Sequence, residues 1–166
     1  MEGKSELEYG EKVKLDAKDK KIIEQLQKNA RQPISQIARK TNLPRDVVKY
    51  RIKKLEENKV IRFYHTLLNP SALGHPLYAY ISFSLFSIEP EEEKKFLGFL
   101  KQQPKVIYLA KFSSKWDFIV GVCAKNYKDL DEVIRGIRQR FGKYIKDFEV
   151  NPVIQEYKYD YMVDLI

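Results

Sequence analysis

Apolar residues recur at helical intervals three times within the first sixty positions of the chain. Ile22, Ile23 and Leu26 follow Asp16, whose carboxylate can accept the orphan N–H groups of a helix start, and Asp19 three residues on supplies an acidic capping box. Residues 29–32 break the pattern. Pro33, tolerated at a first helical position, then introduces a second, short helix marked by Ile34, Ile37 and Ala38. In Thr41-Asn42-Leu43-Pro44, Asn suits the left-handed conformation of a sharp helix-to-helix turn and Pro opens the next helix without losing a hydrogen bond. Val48, Ile52 and Leu55 fall at i, i+4 and i+7 and predict the buried stripe of a third helix ending near Asn58. Its opposite face presents Arg45, Asp46, Lys49, Tyr50 and Lys53. Three short helices, the last two joined by a tight turn and the last one basic outside, predict a helix-turn-helix of the DNA-binding kind.

Residues 60–68 read as a strand, and Asn69-Pro70-Ser71-Ala72-Leu73-Gly74 as a linker. Beyond it the pattern predicts a strand over 77–86, a helix over 90–103, strands over 106–112 and 116–124, a helix over 127–141, and a last strand from 145 to about 158, interrupted near Pro152. That order is βαββαβ, the ferredoxin-like arrangement. The helices carry one apolar stripe each, Phe96, Leu97 and Leu100 in the first and Leu130, Val133, Ile134, Ile137 and Phe141 in the second, so they cover one face of the sheet. The fold class is therefore α+β, with expected boundaries at 1–14 (a flexible tail), 15–68 (DNA-binding domain), 69–76 (linker) and 77–166 (ferredoxin-like dimerisation and effector domain).

The uncovered face of that sheet should be polar. Instead Tyr78, Tyr80 and Phe86 occupy the even positions of the first strand, and Ile119 and Cys123 the matching side of the third. An aromatic and aliphatic patch of this kind marks an interface, which predicts a homodimer formed sheet against sheet; a linker or tail folded back over the face is the alternative.

Charge divides the chain in the same place. The net charge is +8, yet residues 1–69 hold 17 Lys/Arg against 10 Asp/Glu and residues 70–166 hold 14 against 13. Nine basic and three acidic residues lie between Arg39 and Arg62, a field that attracts a polyanion over about a Debye length, ~8 to 10 Å. With 43% hydrophobic and 33% charged residues, the composition is that of a globular protein. No apolar run reaches the ~18 residues a membrane span needs, and residues 1–11 are too charged for a secretory signal. A lone Cys123 offers neither a disulfide nor a zinc pattern, so a cytoplasmic, reducing setting is expected. No cofactor motif and no Gly-rich phosphate loop appears, and the chain does not read as an enzyme.

These residues resemble a family over nearly the whole chain. Leu15-Asp16-Ala17-Lys18-Asp19 with Ile22-Ile23, Leu26-Gln27-Lys28-Asn29-Ala30-Arg31, Ile37-Ala38, Val48, Arg51-Ile52-Lys53-Lys54-Leu55-Glu56 and Val60-Ile61 look like the winged helix-turn-helix half of the Lrp/AsnC transcription regulators. The linker and the βαββαβ half resemble that family's amino-acid-binding regulatory domain. Three positions depart from the family pattern. Lys59 stands where Gly is common, so that Asn58 is expected to supply the unusual backbone angle, and Pro44 replaces a Ser cap. Ser114-Lys115-Trp116-Asp117 replaces Gly-x-x-Asp beside the effector pocket.

The resulting expectation is a regulator that binds double-stranded DNA at a pseudo-palindromic site. Arg39, Lys40, Arg51, Lys54 and Arg62 would neutralise phosphates, with bracing of the helix packing as the other reading of Arg51. Arg45, Asp46, Lys49, Tyr50 and Lys53 would reach base edges or phosphates. The resemblance implies an amino-acid effector near Ser114, Lys115 and Asp117 and assembly into tetramers or octamers. Two rival readings are a siroheme decarboxylase-like enzyme using His65 or His75, and an effector-sensing module that has lost DNA affinity.

Overall fold

Asp16 starts the first helix as its position requires. In the computed structural model, which describes residues 10–159 and 162–166, its carboxylate accepts the N–H groups of Lys18 and Asp19 at 2.8 and 2.9 Å, and Asp19 returns a bond to the Asp16 N–H at 3.1 Å. The capping box launches α1 (Ala17–Lys28). Gln32, buried in the turn that follows, donates to the carbonyls of Gln25 and Asn29 and so satisfies the end of α1. After α2 (Ile34–Thr41), Asn42 takes the left-handed conformation at φ 55°, and Pro44 precedes α3 (Arg45–Glu57). Ile22, Ile37, Ala38, Val48 and Leu55 form the core of the three helices, flanked by Leu26, Ile52 and Ile61.

The end of α3 differs from expectation. Asn58 stays at φ −83°, and Lys59 takes the left-handed angle at φ 56°, while Val60 N–H donates back to the Leu55 carbonyl at 2.9 Å. An L-residue with a Cβ carries a cost of about 1 to 2 kcal/mol there. Lys59→Gly is expected to stabilise this unit by about 1 kcal/mol, read as a rise of ~4 to 8 °C in its unfolding midpoint by calorimetry.

Residues 60–68 contain no strand, because a single extended segment needs a second strand to pair with and none of the described residues pairs with it. They leave Tyr64, Leu67 and Leu68 exposed. The chain clusters into two units, and the segment from Tyr157 onward groups with the helical unit rather than with the sheet, contrary to a second domain running to 166. The last strand ends at Pro152, past which the Val153 N–H makes one more bond to the Tyr78 carbonyl at 2.8 Å. Residues 163–165 make a 3-10 turn beside α1, where the Val163 N–H donates to Gln27 Oε1 at 2.9 Å. The predicted tail, residues 1–14, falls mostly outside the described residues.

The second unit is the βαββαβ sandwich: β1 (Leu77–Leu85), α4 (Pro90–Gln102), β2 (Val106–Lys111), β3 (Phe118–Ala124), α5 (Tyr127–Phe141) and β4 (Ile145–Pro152). The sheet order is β2-β3-β1-β4, every neighbouring pair antiparallel. Ala79, Ile81 and Phe83 of β1 and Phe118, Val120 and Val122 of β3 face the helices, and Phe96, Leu100, Ile137 and Phe141 fill the layer. Phe96 binds it together, with its ring centroid 5.2 Å from that of Phe141 and 5.6 Å from that of Phe118. Pro90 and three glutamates open α4, the acids being favourable to its dipole, and the Asn126 side chain caps α5. No described helix is long and apolar enough to cross a membrane.

Candidate nucleic-acid interface and regulatory surfaces

The second helix of the helix-turn-helix is where sequence readers of this architecture place their base contacts, with the N-terminal residues leading. On α3, Arg45, Asp46, Lys49, Tyr50, Lys53 and Lys54 all project into solvent, and Tyr50 is 66% exposed. They share the face opposite Val48 and Leu55, which are buried. Arg39, Lys40 and Arg62 are exposed as well. Lys40 Nζ touches Gln32 Oε1 at 3.2 Å, the Arg62 guanidinium lies 5.7 Å from the Phe63 ring, and Lys53 makes only a loose 3.5 Å pair with Glu57. A solvated helical pair of that kind contributes a few tenths of a kcal/mol, so a phosphate can displace it.

Arg51 does not belong to this surface. Its guanidinium donates to Asp16 at 2.9 Å and to Asp19 at 2.8 Å, and its side chain is only 20% exposed. The two carboxylates that cap α1 thus also clamp α3, and the expectation that Arg51 neutralises a phosphate is corrected to a bracing role. The Asp19 N–H, followed by the Arg51 guanidinium, holds the Asp16 carboxyl below its ordinary range. A carboxyl with a lowered folded-state pKa contributes stability above its unfolded value near 4, and that contribution disappears as pH falls through the folded value. Arg51→Gln is therefore expected to lower the unfolding midpoint by a few degrees at pH 7, and its gap from wild type to narrow as pH falls from 5 to 3 in a series of thermal melts.

Beside this clamp a groove of about 250 Å³ opens, lined by Lys14, Tyr50 and Lys54 with the Asp16, Asp19 and Arg51 cluster. Lys14 lies outside the helical periodicity of the sequence. Its place two residues before a helix cap is the signal that marks it, because the N-terminal turn of α1 and the outer face of α3 meet there.

In the second unit, the turn between β2 and β3 holds Ser114, Lys115 and Asp117. Ser114 Oγ accepts the Trp116 N–H at 3.2 Å and donates to the Trp116 carbonyl at 3.0 Å, and the Lys115 ammonium lies 4.6 Å from the Trp116 ring centroid. One oxygen of Asp117 accepts the Leu85 N–H at 2.7 Å, at the bulge that interrupts the β1–β4 register. Asp117 is thus tied into the frame of the turn, while Ser114 and Lys115 are exposed.

The face of the sheet away from the helices carries Tyr78, Tyr80 and Tyr108, with ring centroids 5.1 and 5.8 Å apart in succession. Ile119 is half-buried on it, and Ile107 and Tyr108 at its edge are 55% and 41% exposed. Cys123, opposite Tyr78 in the β1–β3 ladder, lies on this face as expected, but it is only 7% exposed, and burial pushes its thiol up. Phe86 is exposed and lies one residue past β1, its N–H bonded to the Tyr144 carbonyl, outside the ladder that defines this face. Gly121, absent from the expected face, sits opposite both Tyr80 and Tyr108; a Cβ there would lie 2.8 Å from Tyr108 Cβ and 3.2 Å from the Tyr78 hydroxyl. Its lack of a side chain is what lets the rings lie over the strand.

Neither histidine joins a cluster of functional groups. His65 lies in the extended segment against Phe63, and His75 Nδ1 is 3.0 Å from the Leu73 carbonyl. Among the described residues no group of His, Cys, Asp and Glu could hold a metal ion.

Comparison with known proteins agrees with this geometry. Residues 15–62 match a family model described as winged helix-turn-helix DNA-binding. The HTH-type transcriptional regulator FL11 of Pyrococcus furiosus is 31% identical over 120 residues, covering 72% of this chain and 78% of that protein. The crystal structure of an AsnC family transcriptional regulator from Agrobacterium tumefaciens superposes with a TM-score of 0.79 at 24% identity, covering 87% of this chain and 94% of that one. A transcriptional regulator of Neisseria meningitidis, solved as an L-Met complex, gives a TM-score of 0.81 at 20% identity, covering 92% of this chain and all of that one.

Proposed function

The chain belongs to the Lrp/AsnC family of helix-turn-helix transcriptional regulators, and from that premise we propose that it works as a symmetric dimer whose two α3 helices read a pseudo-palindromic duplex. The observation that carries the reading is the outer face of α3, where Arg45, Lys49, Tyr50, Lys53 and Lys54 stand exposed. Arg45, in the first turn, suits the bidentate guanine pairing open to a guanidinium, and Asp46 beside it suits a cytosine amine. Lys49, Lys53 and Lys54, with Arg39, Lys40 and Arg62, supply the sequence-independent phosphate term.

Pairing of two sheets through the Tyr78, Tyr80, Tyr108 and Ile119 face would hold the two reading helices in a fixed relation, with half-sites about 34 Å apart or a multiple of that. Selection of bound duplexes from a random pool tests the whole reading. The expected product is two inverted half-sites at constant spacing; pools enriched for no sequence, or for a single unpaired half-site, would overturn it.

For regulation, the likeness to the Neisseria regulator solved with L-Met supports an amino-acid effector at the turn holding Ser114, Lys115 and Asp117. The effector acts by binding one assembly state, dimer or a larger oligomer, more tightly than another. A thermal-shift series with the common amino acids is expected to raise the midpoint for at least one of them, and a uniform lack of response would remove the effector from this reading.

A further inference from the structure

The near-balance of charge over the second half of the chain conceals residues 135–146, which hold five Lys/Arg and no Asp/Glu. The fold gathers part of this run around a groove of about 490 Å³ between the end of α5 and the start of β4, lined by Arg135, Arg138, Gln139, Lys146, Asp147 and Phe148. Basic residues in the last turn of a helix are expected from its dipole, which accounts for Arg138 and Arg140. It does not account for Lys146, which lies on β4 and faces the same groove.

We propose that this groove binds a small, multiply charged anion of the phosphate-ester or polyphosphate class. The Arg138 guanidinium lies 5.2 Å from the Phe148 ring centroid, which holds it in place, while Arg135 makes a solvated i,i+4 pair with Asp131 that a phosphate can displace. A guanidinium already held in place loses less freedom when it forms its fork of bonds to a phosphate. Lys146 adds a point charge, and no ion pair among the described residues engages Arg138 or Lys146. The single acid on the rim, Asp147, turns one oxygen to the Phe148 N–H at 2.9 Å. With Asp131 beside Arg135 and Asp147 on the rim, the three cations still leave the groove net positive, and displacing the Asp131 pair would free Arg135 for a ligand with more than one negative charge. Gln139 can bond to a neutral part of the ligand, and Phe148 with Ile145 gives the groove an apolar wall.

At about 490 Å³ the groove is large enough for a compact anion. The site is separate from the turn proposed for an amino acid, and it stands or falls independently of that proposal.

Isothermal titration of the full chain with tripolyphosphate and with ATP, at about 0.15 M salt where exposed charges are screened beyond ~8 Å, tests the inference. Saturable binding is expected, weakened at least ~10-fold, about 1.4 kcal/mol, in Arg138→Gln/Lys146→Gln and unchanged in Lys49→Gln/Lys53→Gln. Duplex affinity of the groove variant should stay within about twofold of wild type, since a phosphate contact would show in the salt slope. Lys146→Gln alone, at an exposed strand position, keeps the test open if the double variant does not fold, and should weaken tripolyphosphate several-fold. The proposal is overturned if wild type takes up no tripolyphosphate, if the groove variant titrates like wild type, or if the loss follows the α3 variant. A groove variant that loses duplex affinity with a shallower salt slope would make this a DNA contact and overturn it equally.

Discussion

Replacing Arg45, Lys49 and Lys53 together by Gln is expected to lower affinity for a selected duplex by at least ~100-fold. Loss of an arginine paired to a guanine costs about 1 to 3 kcal/mol and relaxes preference at one base position, which is roughly 5- to 150-fold. The two lysines act on every sequence alike. Each phosphate they neutralise contributes about 0.9 to the slope of log affinity against log salt, so removing both should flatten that slope by about two. All three side chains are exposed on one face of α3, whose opposite face forms the core, so the variant should fold with an unchanged midpoint. Fluorescence anisotropy with a selected and a scrambled duplex at several salt concentrations separates the two contributions. Arg51→Gln supplies the contrast: its guanidinium is already committed to Asp16 and Asp19, so it should move the thermal midpoint and leave the salt slope alone. Equal slopes for wild type and the triple variant would refute the assignment of α3 as the reading helix.

Gly121→Val should destabilise the regulatory unit by about 1 to 3 kcal/mol, the range for overfilling a packed site, and convert the proposed dimer to monomer. The first atom added would meet Tyr108 Cβ at 2.8 Å. That atom is fixed to the backbone of β2, so relief requires the strand or the ring to move. Tyr108 and Tyr80 flank Gly121 in the ladder, and displacing either breaks up the aromatic face through which two subunits would pair. The same class of change at Gly136 has the opposite sign. That residue lies in α5, where an added Cβ meets nothing within 4 Å, so Gly136→Ala should stabilise by about 0.5 to 1 kcal/mol. Urea unfolding reads both stabilities and light scattering reads the assembly. A Gly121→Val protein that stays dimeric at wild-type stability would show that the face is not the interface.

Much of the helix-turn-helix could be read from neighbours in the chain. The Asp16 and Asp19 cap, the left-handed Asn42 and the α3 stripe of Val48, Ile52 and Leu55 occupy the positions that their spacing predicts. The βαββαβ order followed in the same way, with Tyr127–Phe141 matching to the residue. The regulatory surface was less legible. Alternation placed Tyr78 and Tyr80 on the outer face, whereas Phe86 lies one residue past the end of β1, where the ladder no longer defines a face. Tyr108 was missed because its strand slips against β3 between Val106 and Tyr108, and Gly121 because a residue without a side chain gives no periodic signal.

Caps, turns and stripes are settled by partners within four residues, and a periodic sequence displays them. The duty of each charged group is settled elsewhere. Arg51 meets carboxylates 32 and 35 positions away, Asp117 meets a backbone N–H 32 positions away, and Val163 returns to a glutamine 136 positions back. The order of residues alone established most of the elements, their succession and the basic character of the first half. Which cations remain free for a polyanion and where the chain end docks were decided only by packing, because a charge is spent or spared by whatever the fold brings within about 3 Å of it.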